Sequence, residues 1–187
     1  SRLALVQALC CGHPSTSGSP NMDYFISSEH KETDYSDKYY SERLIRFNRL
    51  AVNYSRPEIQ YNTFKRSNLN IKNNDFLIGI PHTPFKFHPN FDSVLDKILE
   101  EIPNAYLFFF TSEKFDTELL KSRWKKGSKL ILKRLIIHPR VEFDSYLSIL
   151  KNFDIVLDPF YCGMGNTFFQ SISLGIPVVS MCTNKSK

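Results

Sequence analysis

The stretch Asp154–Val179, DIVLDPFYCGMGNTFFQSISLGIPVV, limits the possible fold more than any other part of the chain. Ile155, Val156 and Leu157 make the short apolar run of a buried strand, and Asp158-Pro159 ends it, because proline has no N–H for the ladder. Gly163 and Gly165 form a loop, Asn166 is a good N-cap for the apolar run that follows, and Gly175 suits its C-cap. Pro177-Val178-Val179 opens another strand. A strand, loop, helix, strand unit of this kind belongs in a parallel sheet. There the loop lies at the carboxyl ends of the strands, and the free N–H groups of the helix point at the ligand, most often phosphate. Glycine loops before helices also serve as plain connections, so the reading needs support from the rest of the chain.

That support begins upstream. Phe76–Ile80 (FLIGI), set off by Asp75 and Pro81, reads as the first strand of a parallel sheet. Phe91, Val94, Leu95, Ile98, Leu99 and Ile102 then fall at steps of three and four, one helical stripe that Pro103-Asn104 ends. Ala105–Phe110 is the next strand, which completes a βαβ unit. Phe115–Lys126 reads as a helix with Leu119, Leu120 and Trp124 toward the sheet, Leu135–His138 as a strand, and Tyr146–Phe153 as a helix after a loop opened by Pro139-Arg140-Val141. Nearer the start, Leu3–Cys11 (LALVQALCC) suits a strand buried on both faces. A loop of small hydroxyl residues follows it, and Phe25–Ser28 is another short strand. From Tyr54 to Asp75 the chain turns polar and aperiodic. The expected organisation is the end of one domain over 1–53, a linker over 54–75 and a second, Rossmann-like domain over 76–187.

The totals fit a globular α/β protein: of 187 residues 42% are hydrophobic and 23% charged. The net charge of +5 is densest from Lys121 to Arg134, and with no nucleic-acid motif beside it the reading is a solvated face, not a nucleic-acid surface. Cys10, Cys11, Cys162 and Cys182 have neither zinc spacing nor that of a disulfide framework, which points to reduced thiols and a cytoplasmic setting. No apolar run reaches the roughly 18 residues of a membrane span. With no Asp-x-Asp pair and no His or Cys cluster, no metal is expected. Ser1-Arg2-Leu3-Ala4 enters a strand-like run directly and the chain stops where a sheet has resumed, as in a piece of a longer protein.

Four segments in chain order carry a resemblance. QALCCGHPSTSGSPNMDY, the SERL box Ser41-Glu42-Arg43-Leu44, FKFHPNFDSVLDKILEEIPNAYLFF with Lys86, and LDPFYCGMGNTFFQSISLGIPVV together resemble the O-GlcNAc transferase family of glycosyltransferases. The fold this implies is the α/β GT-B architecture, here mainly the C-terminal Rossmann-like parallel sheet domain plus the end of the N-terminal domain. The resemblance implies that Gly12 and Pro14 shape the sugar pocket and that Lys86 holds the diphosphate of the donor. It implies that the backbone at Arg140 and Val141 reads the base, with Tyr146 lying over it. Gly165, Asn166 and Thr167 would meet the diphosphate, with Cys162 at the mouth of their loop. Gln170 departs from the pattern, since the family usually has an acidic residue there to accept from the ribose hydroxyls, and a glutamine carbonyl accepts more weakly. His13 stands where many members carry an aromatic residue. SERL is expected to pack and cap, not to do chemistry.

The activity so implied is inverting transfer of a sugar from a UDP-sugar to a protein or peptide acceptor. No cofactor is expected beyond the donor substrate itself. N-acetylglucosamine on Ser or Thr is the first choice, with glucose or galactose on asparagine and fucose from GDP-fucose open alternatives. A fixed ammonium at Lys86 suits this chemistry, because charge builds on the departing diphosphate in the transition state. In the family the residues proposed to manage the acceptor proton lie upstream of Ser1, so the isolated chain is expected to lack turnover. The rival from another class is a scaffold that keeps the fold without catalysis, which Gln170 and Pro84 favour. A nucleic-acid module using Lys121–Arg134 is a more distant one.

Overall fold

All the strand pairings among the described residues are parallel, as short apolar runs joined by helices or long loops require. The structure, a computed structural model, describes the chain apart from residues 11, 13, 14, 59–63, 112–116 and 182–187. It divides into two units, Ser1–Ser55 and Arg56–Met181.

The first unit holds a three-stranded sheet in the order β1 (Ala8–Cys10), β2 (Tyr24–Ser28), β3 (Arg43–Phe47). Phe25 is buried on β2, with the Tyr40 ring 4.7 Å away. The expectation of a strand buried on both faces over Leu3–Cys11 fails, since only Ala8–Cys10 pairs and Leu3, Leu5 and Val6 are exposed. Local hydrogen bonds take the backbone out of the ladder there. The Leu3 amide donates to Gln7 Oε1 (2.8 Å), and Arg2 reaches back to the Leu5 carbonyl (2.8 Å) and to both oxygens of Asp23. In the SERL box, the buried Glu42 accepts from Thr16 Oγ1 (2.6 Å), from the Ser17 amide (2.8 Å) and from Ser17 Oγ, fastening the hydroxyl-rich loop to the start of β3. Burial pushes the Glu42 carboxyl up, but these donors outweigh it and hold the pKa at about 2.

The second unit runs β4 (Phe76–Gly79), α1 (Pro89–Glu101), β5 (Ala105–Thr111), α2 (Thr117–Gly127), β6 (Leu135–Pro139), α3 (Phe143–Leu150), β7 (Ile155–Leu157), α4 (Asn166–Ser173), β8 (Val178–Val179). Its sheet has the order β6-β5-β4-β7-β8, so the chain steps outward one way from β4 and then returns to build on the other side. Because side chains alternate along a strand, each apolar run serves two layers. Ile78, Leu107 and Phe109 pack with Phe91, Leu95 and Leu99 of α1 and Leu120 and Trp124 of α2. Leu77, Phe108 and Val156 pack in the other layer with Leu147, Ile149 and Leu150 of α3. The expected inward position of Leu119 is wrong, for it is exposed while Leu120 and Trp124, one helical turn apart, share the buried face. Phe115, placed in that helix from the sequence, lies outside the described residues.

Part of the polar stretch before β4 is fastened to this unit. Arg66 donates to the Asp75 carbonyl (2.8 Å) and the Asn152 carbonyl (2.7 Å) and pairs with Asp154 (2.6 Å). Asp154 in turn accepts from the Leu77 amide (2.7 Å), so one guanidinium ties the entry of β4 to the entry of β7. Asp92 does the same for the other layer, taking two 2.8 Å hydrogen bonds from Arg123 of α2.

Gly79, the last residue of β4, is required by packing. A Cβ there would run into the ring of Phe153, itself buried against Phe108. Gly79→Ala is therefore expected to cost ~1–3 kcal/mol in urea denaturation. Gly127→Ala, where a Cβ meets no atom within 4 Å, should stay within about 0.5 kcal/mol of the parent.

Candidate functional site

A sheet that grows first to one side of β4 and then to the other sends successive connections away on opposite sides, which leaves a crevice at the carboxyl ends of β4 and β7. A cleft of about 730 Å³ opens there. Pro81, His82, Thr83 and Pro84 line it from the loop after β4, Phe110 and Thr111 from the end of β5, and Arg140 to Phe143 with Tyr146 from the turn into α3. Asn166, Thr167 and Gln170 close it from the first turns of α4. A volume of this size suits a drug-sized or nucleotide-sized ligand.

The loop from Asp158 to Gly165 is shaped by its contacts with the start of α1. Phe160 lies 5.0 Å from Phe91, and the Tyr161 ring meets His88 edge-on at 4.7 Å. Tyr161 OH accepts from Asn90 Nδ2 (3.1 Å), and Tyr161 takes a left-handed backbone with φ 69°, a cost that a residue with a Cβ bears only when its surroundings hold it there. Asn166 is not the N-cap. Gly165 occupies that position, without a side-chain cap, and Asn166 is the first helical residue. Consequently no side chain of the cap occupies the first N–H groups of α4, at Asn166 and Thr167, two residues that line the cleft. Leu174 is the C-cap, one residue before the Gly175 expected there, and Gly175 follows it with φ 79°.

Of the residues singled out from the sequence, Arg140, Val141, Tyr146, Asn166, Thr167 and Gln170 come together around the cleft. Lys86 bridges the two loops, its Nζ donating to the Gly163 carbonyl at 3.3 Å. Cys162 is an exposed free thiol on the same loop as Gly165. Gly12 follows β1 in the first unit, its amide donating to the Cys10 carbonyl, and Pro14 lies outside the described residues. The Arg140 amide is committed to the Thr111 carbonyl (2.8 Å), so any reading of a base by backbone at this turn falls to its other polar groups. Among the described residues, no group of three or more His, Cys, Asp or Glu side chains comes together at metal-holding distance, and no helix is long and apolar enough to cross a membrane.

The structure adds residues that the sequence did not single out. Helix α3 begins at Phe143, a turn earlier than the periodicity suggested, and this puts Phe143 in the cleft with half of its surface exposed. Tyr146 packs inward on Phe110 (5.3 Å), with the Phe143 ring nearly parallel to it at 6.4 Å. Phe143 is therefore the more open aromatic face. Pro139 followed by an acidic residue in the first turn, Asp144, was the available sign of the earlier start. His82 and Asp158 form the second addition, a buried pair with Nε2 and Oδ1 3.7 Å apart. Burial, and then repulsion by Lys86, pushes the His82 imidazole down to about 4, so it is neutral at pH 7. Burial pushes the Asp158 carboxyl up, against hydrogen bonds from Ser180 and the Met164 amide and the charge of Lys86.

Comparison with known proteins bears on the whole chain. It is 30% identical over 190 residues to UDP-glucose:protein N-beta-glucosyltransferases from Actinobacillus pleuropneumoniae serotype 5b (strain L20) and serotype 7 (strain AP76), covering 97% of this chain and 28% of each relative. The chain thus spans little more than a quarter of the length of these curated relatives. A variant of Thermobaculum terrenum O-GlcNAc transferase superposes with a TM-score of 0.78 at 21% identity, over 97% of this chain and 34% of that one. No protein-family model matches. The fold expected from the four segments, a GT-B type α/β architecture, is the fold observed.

The pH dependence of stability carries the mark of His82. Its folded value lies below its unfolded one, so its contribution is complete above pH 6.5 and is lost as the pH falls toward about 4, where the unfolded chain takes the proton first. Asp158 acts in the opposite sense, gaining as it is protonated. Urea midpoints measured from pH 7 to pH 4 should fall less steeply for His82→Phe than for the parent.

Proposed function

Taking as premise a chain with the GT-B fold of the O-GlcNAc transferase type, we propose that it holds the donor site of an inverting glycosyltransferase that moves a sugar from a UDP-sugar to a protein side chain. The observation that carries this reading is the cleft at the switch between β4 and β7. It combines an open aromatic face with an uncapped helix N-terminus, and Lys86 is tied to the Gly163 carbonyl of the loop that leads into that helix. These are the parts that a base, a diphosphate and a charged leaving group need.

In this reading the base lies on Phe143, beside Tyr146 and the turn at Arg140 and Val141. Gln170 accepts from the ribose, or Glu142 across the cleft takes that role with a full carboxylate. The diphosphate meets the first N–H groups of α4 together with the Asn166 and Thr167 side chains. As the bond from sugar to phosphate breaks, the leaving oxygen gains negative charge. Lys86 then exchanges the Gly163 carbonyl for that oxygen, an interaction stronger in the transition state than in the ground state. The acceptor attacks from the opposite side of the sugar, which inverts the anomeric carbon. The acceptor proton passes to a general base as the new bond forms.

Among donors UDP-glucose takes precedence over UDP-N-acetylglucosamine, with asparagine over serine or threonine as acceptor. The relatives that match in sequence carry glucose and an N-linkage in their names, whereas the O-GlcNAc transferase likeness, at 21% identity, speaks to fold. Calorimetric titration with UDP, UDP-glucose, UDP-N-acetylglucosamine and GDP-fucose tests this. The expected result is uridine-selective binding, weakened about tenfold or more by Lys86→Ala and by a similar factor by Phe143→Ala. Preference for guanosine would move the proposal to fucosyl transfer. No nucleotide binding by the folded parent protein would leave the scaffold reading.

A further inference from the structure

Buried polar atoms are nearly always hydrogen-bonded, and those that are not call for a physical reason. Three side-chain atoms among the described residues lack a partner: Trp124 Nε1, His82 Nε2 and Asp158 Oδ1. The last two face each other at 3.7 Å, on side chains only 4% and 8% exposed, just beyond the ends of the neighbouring strands β4 and β7. Asp158 lies against the loop into α4, accepting from the Met164 amide, and His82 faces it from the other side of the pair.

We propose that His82 and Asp158 are a positioning couple that sets the loop Pro159–Gly165 in the form that binds a nucleoside diphosphate. The proposal rests on the donor-site reading for its ligand, though not for its mechanics. Asp158 is the hub of the loop. Its Oδ2 accepts from Ser180 Oγ (2.7 Å) just past β8, and its carboxylate takes a hydrogen bond from the Met164 amide within the loop. Gly163 passes so close that a Cβ there would lie 3.3 Å from Oδ2, and its carbonyl holds Lys86. One carboxylate therefore fixes the end of β8, the turn before α4 and, through Gly163, the lysine.

His82 supplies the remaining contact. Its amide is anchored to the Ile80 carbonyl (2.6 Å), and Ile80 continues the ladder to the Phe108 carbonyl (2.8 Å), so the imidazole stands on the rigid part of the sheet. A neutral ring in the Nε2–H tautomer aims a donor at Oδ1. A shift of about 1 Å would bring the pair to full hydrogen-bond distance. The unpaired atoms are then the open half of a contact that locks the loop when the ligand seats.

The test is amide hydrogen exchange on the isotope-labelled chain, together with calorimetry using UDP. His82→Phe keeps the bulk and removes the donor, Asp158→Asn keeps the shape and removes the charge, and His82→Gln restores an N–H near the Nε2 position. Expected in His82→Phe and Asp158→Asn, with urea midpoints showing a folded chain, is about tenfold faster exchange at Met164 and about tenfold weaker UDP binding. His82→Gln should recover most of both, which ring packing alone would not give. Unchanged Met164 exchange and UDP affinity in the folded variants would overturn the proposal, as would a His82→Gln no better than His82→Phe. If His82→Phe does not fold, the other two variants decide by the same readouts. Should the parent chain bind no UDP while Met164 exchange still follows the variants, the positioning couple stands and the donor reading falls.

Discussion

The position of β4 between β5 and β7 is the constraint on which the second unit depends. Leu77 and Ile78 at its centre and Ile80 just past its end are almost fully buried, and Gly79 leaves space that the Phe153 ring fills. A strand covered on both faces has no polar side to present. Its two edges must then both be paired, by β5 on one side and by β7 on the other, and helices must cover both layers. The reversal of direction at β4 follows from that burial, and the cleft follows from the reversal.

The polar groups around the cleft answer to the same constraint. Backbone leaving a central strand must satisfy its hydrogen bonds quickly, and the loop after β4 does so with the short turn of Thr83 to Phe87 that presents Lys86. The loop after β7 is fastened by side chains: Tyr161 to Asn90 and His88, Asp158 to Ser180. Rigid attachment at both ends leaves the first turn of α4 as the place where uncapped N–H groups remain. An anion bound there, as proposed, would cost little ordering, because the fold has already arranged the donors.

The first unit obeys a different balance. With its three short strands it buries Phe25 among polar neighbours, and Glu42, Glu32 and Asp23 act as acceptors that gather hydroxyl and amide donors around them. That is why a sequence reading based on hydrophobic runs misjudged Leu3–Val6, whose backbone is claimed by Arg2 and Gln7 instead of by a neighbouring strand.

Apolar spacing determined the elements of the second unit by itself: the stripe of α1, the runs of β4, β5 and β7, and the glycine that ends α4 all stood in the sequence. Their physical signals are local, set by periodicity, by the missing N–H of proline and by the backbone range of glycine. The loop and helix start that line the cleft, at Asn166 and Thr167, were legible on the same grounds. What tertiary structure decided was which residues meet. Phe143 became the open ring and Tyr146 the packed one because the helix starts a turn earlier than its apolar pattern. Leu119 turned outward because the sheet takes only the face of Leu120 and Trp124. His82 and Asp158, 76 positions apart in the chain, became neighbours because β4 and β7 pair. No periodicity records such a contact, since it depends on strand order, and strand order is fixed by burying every apolar face at once.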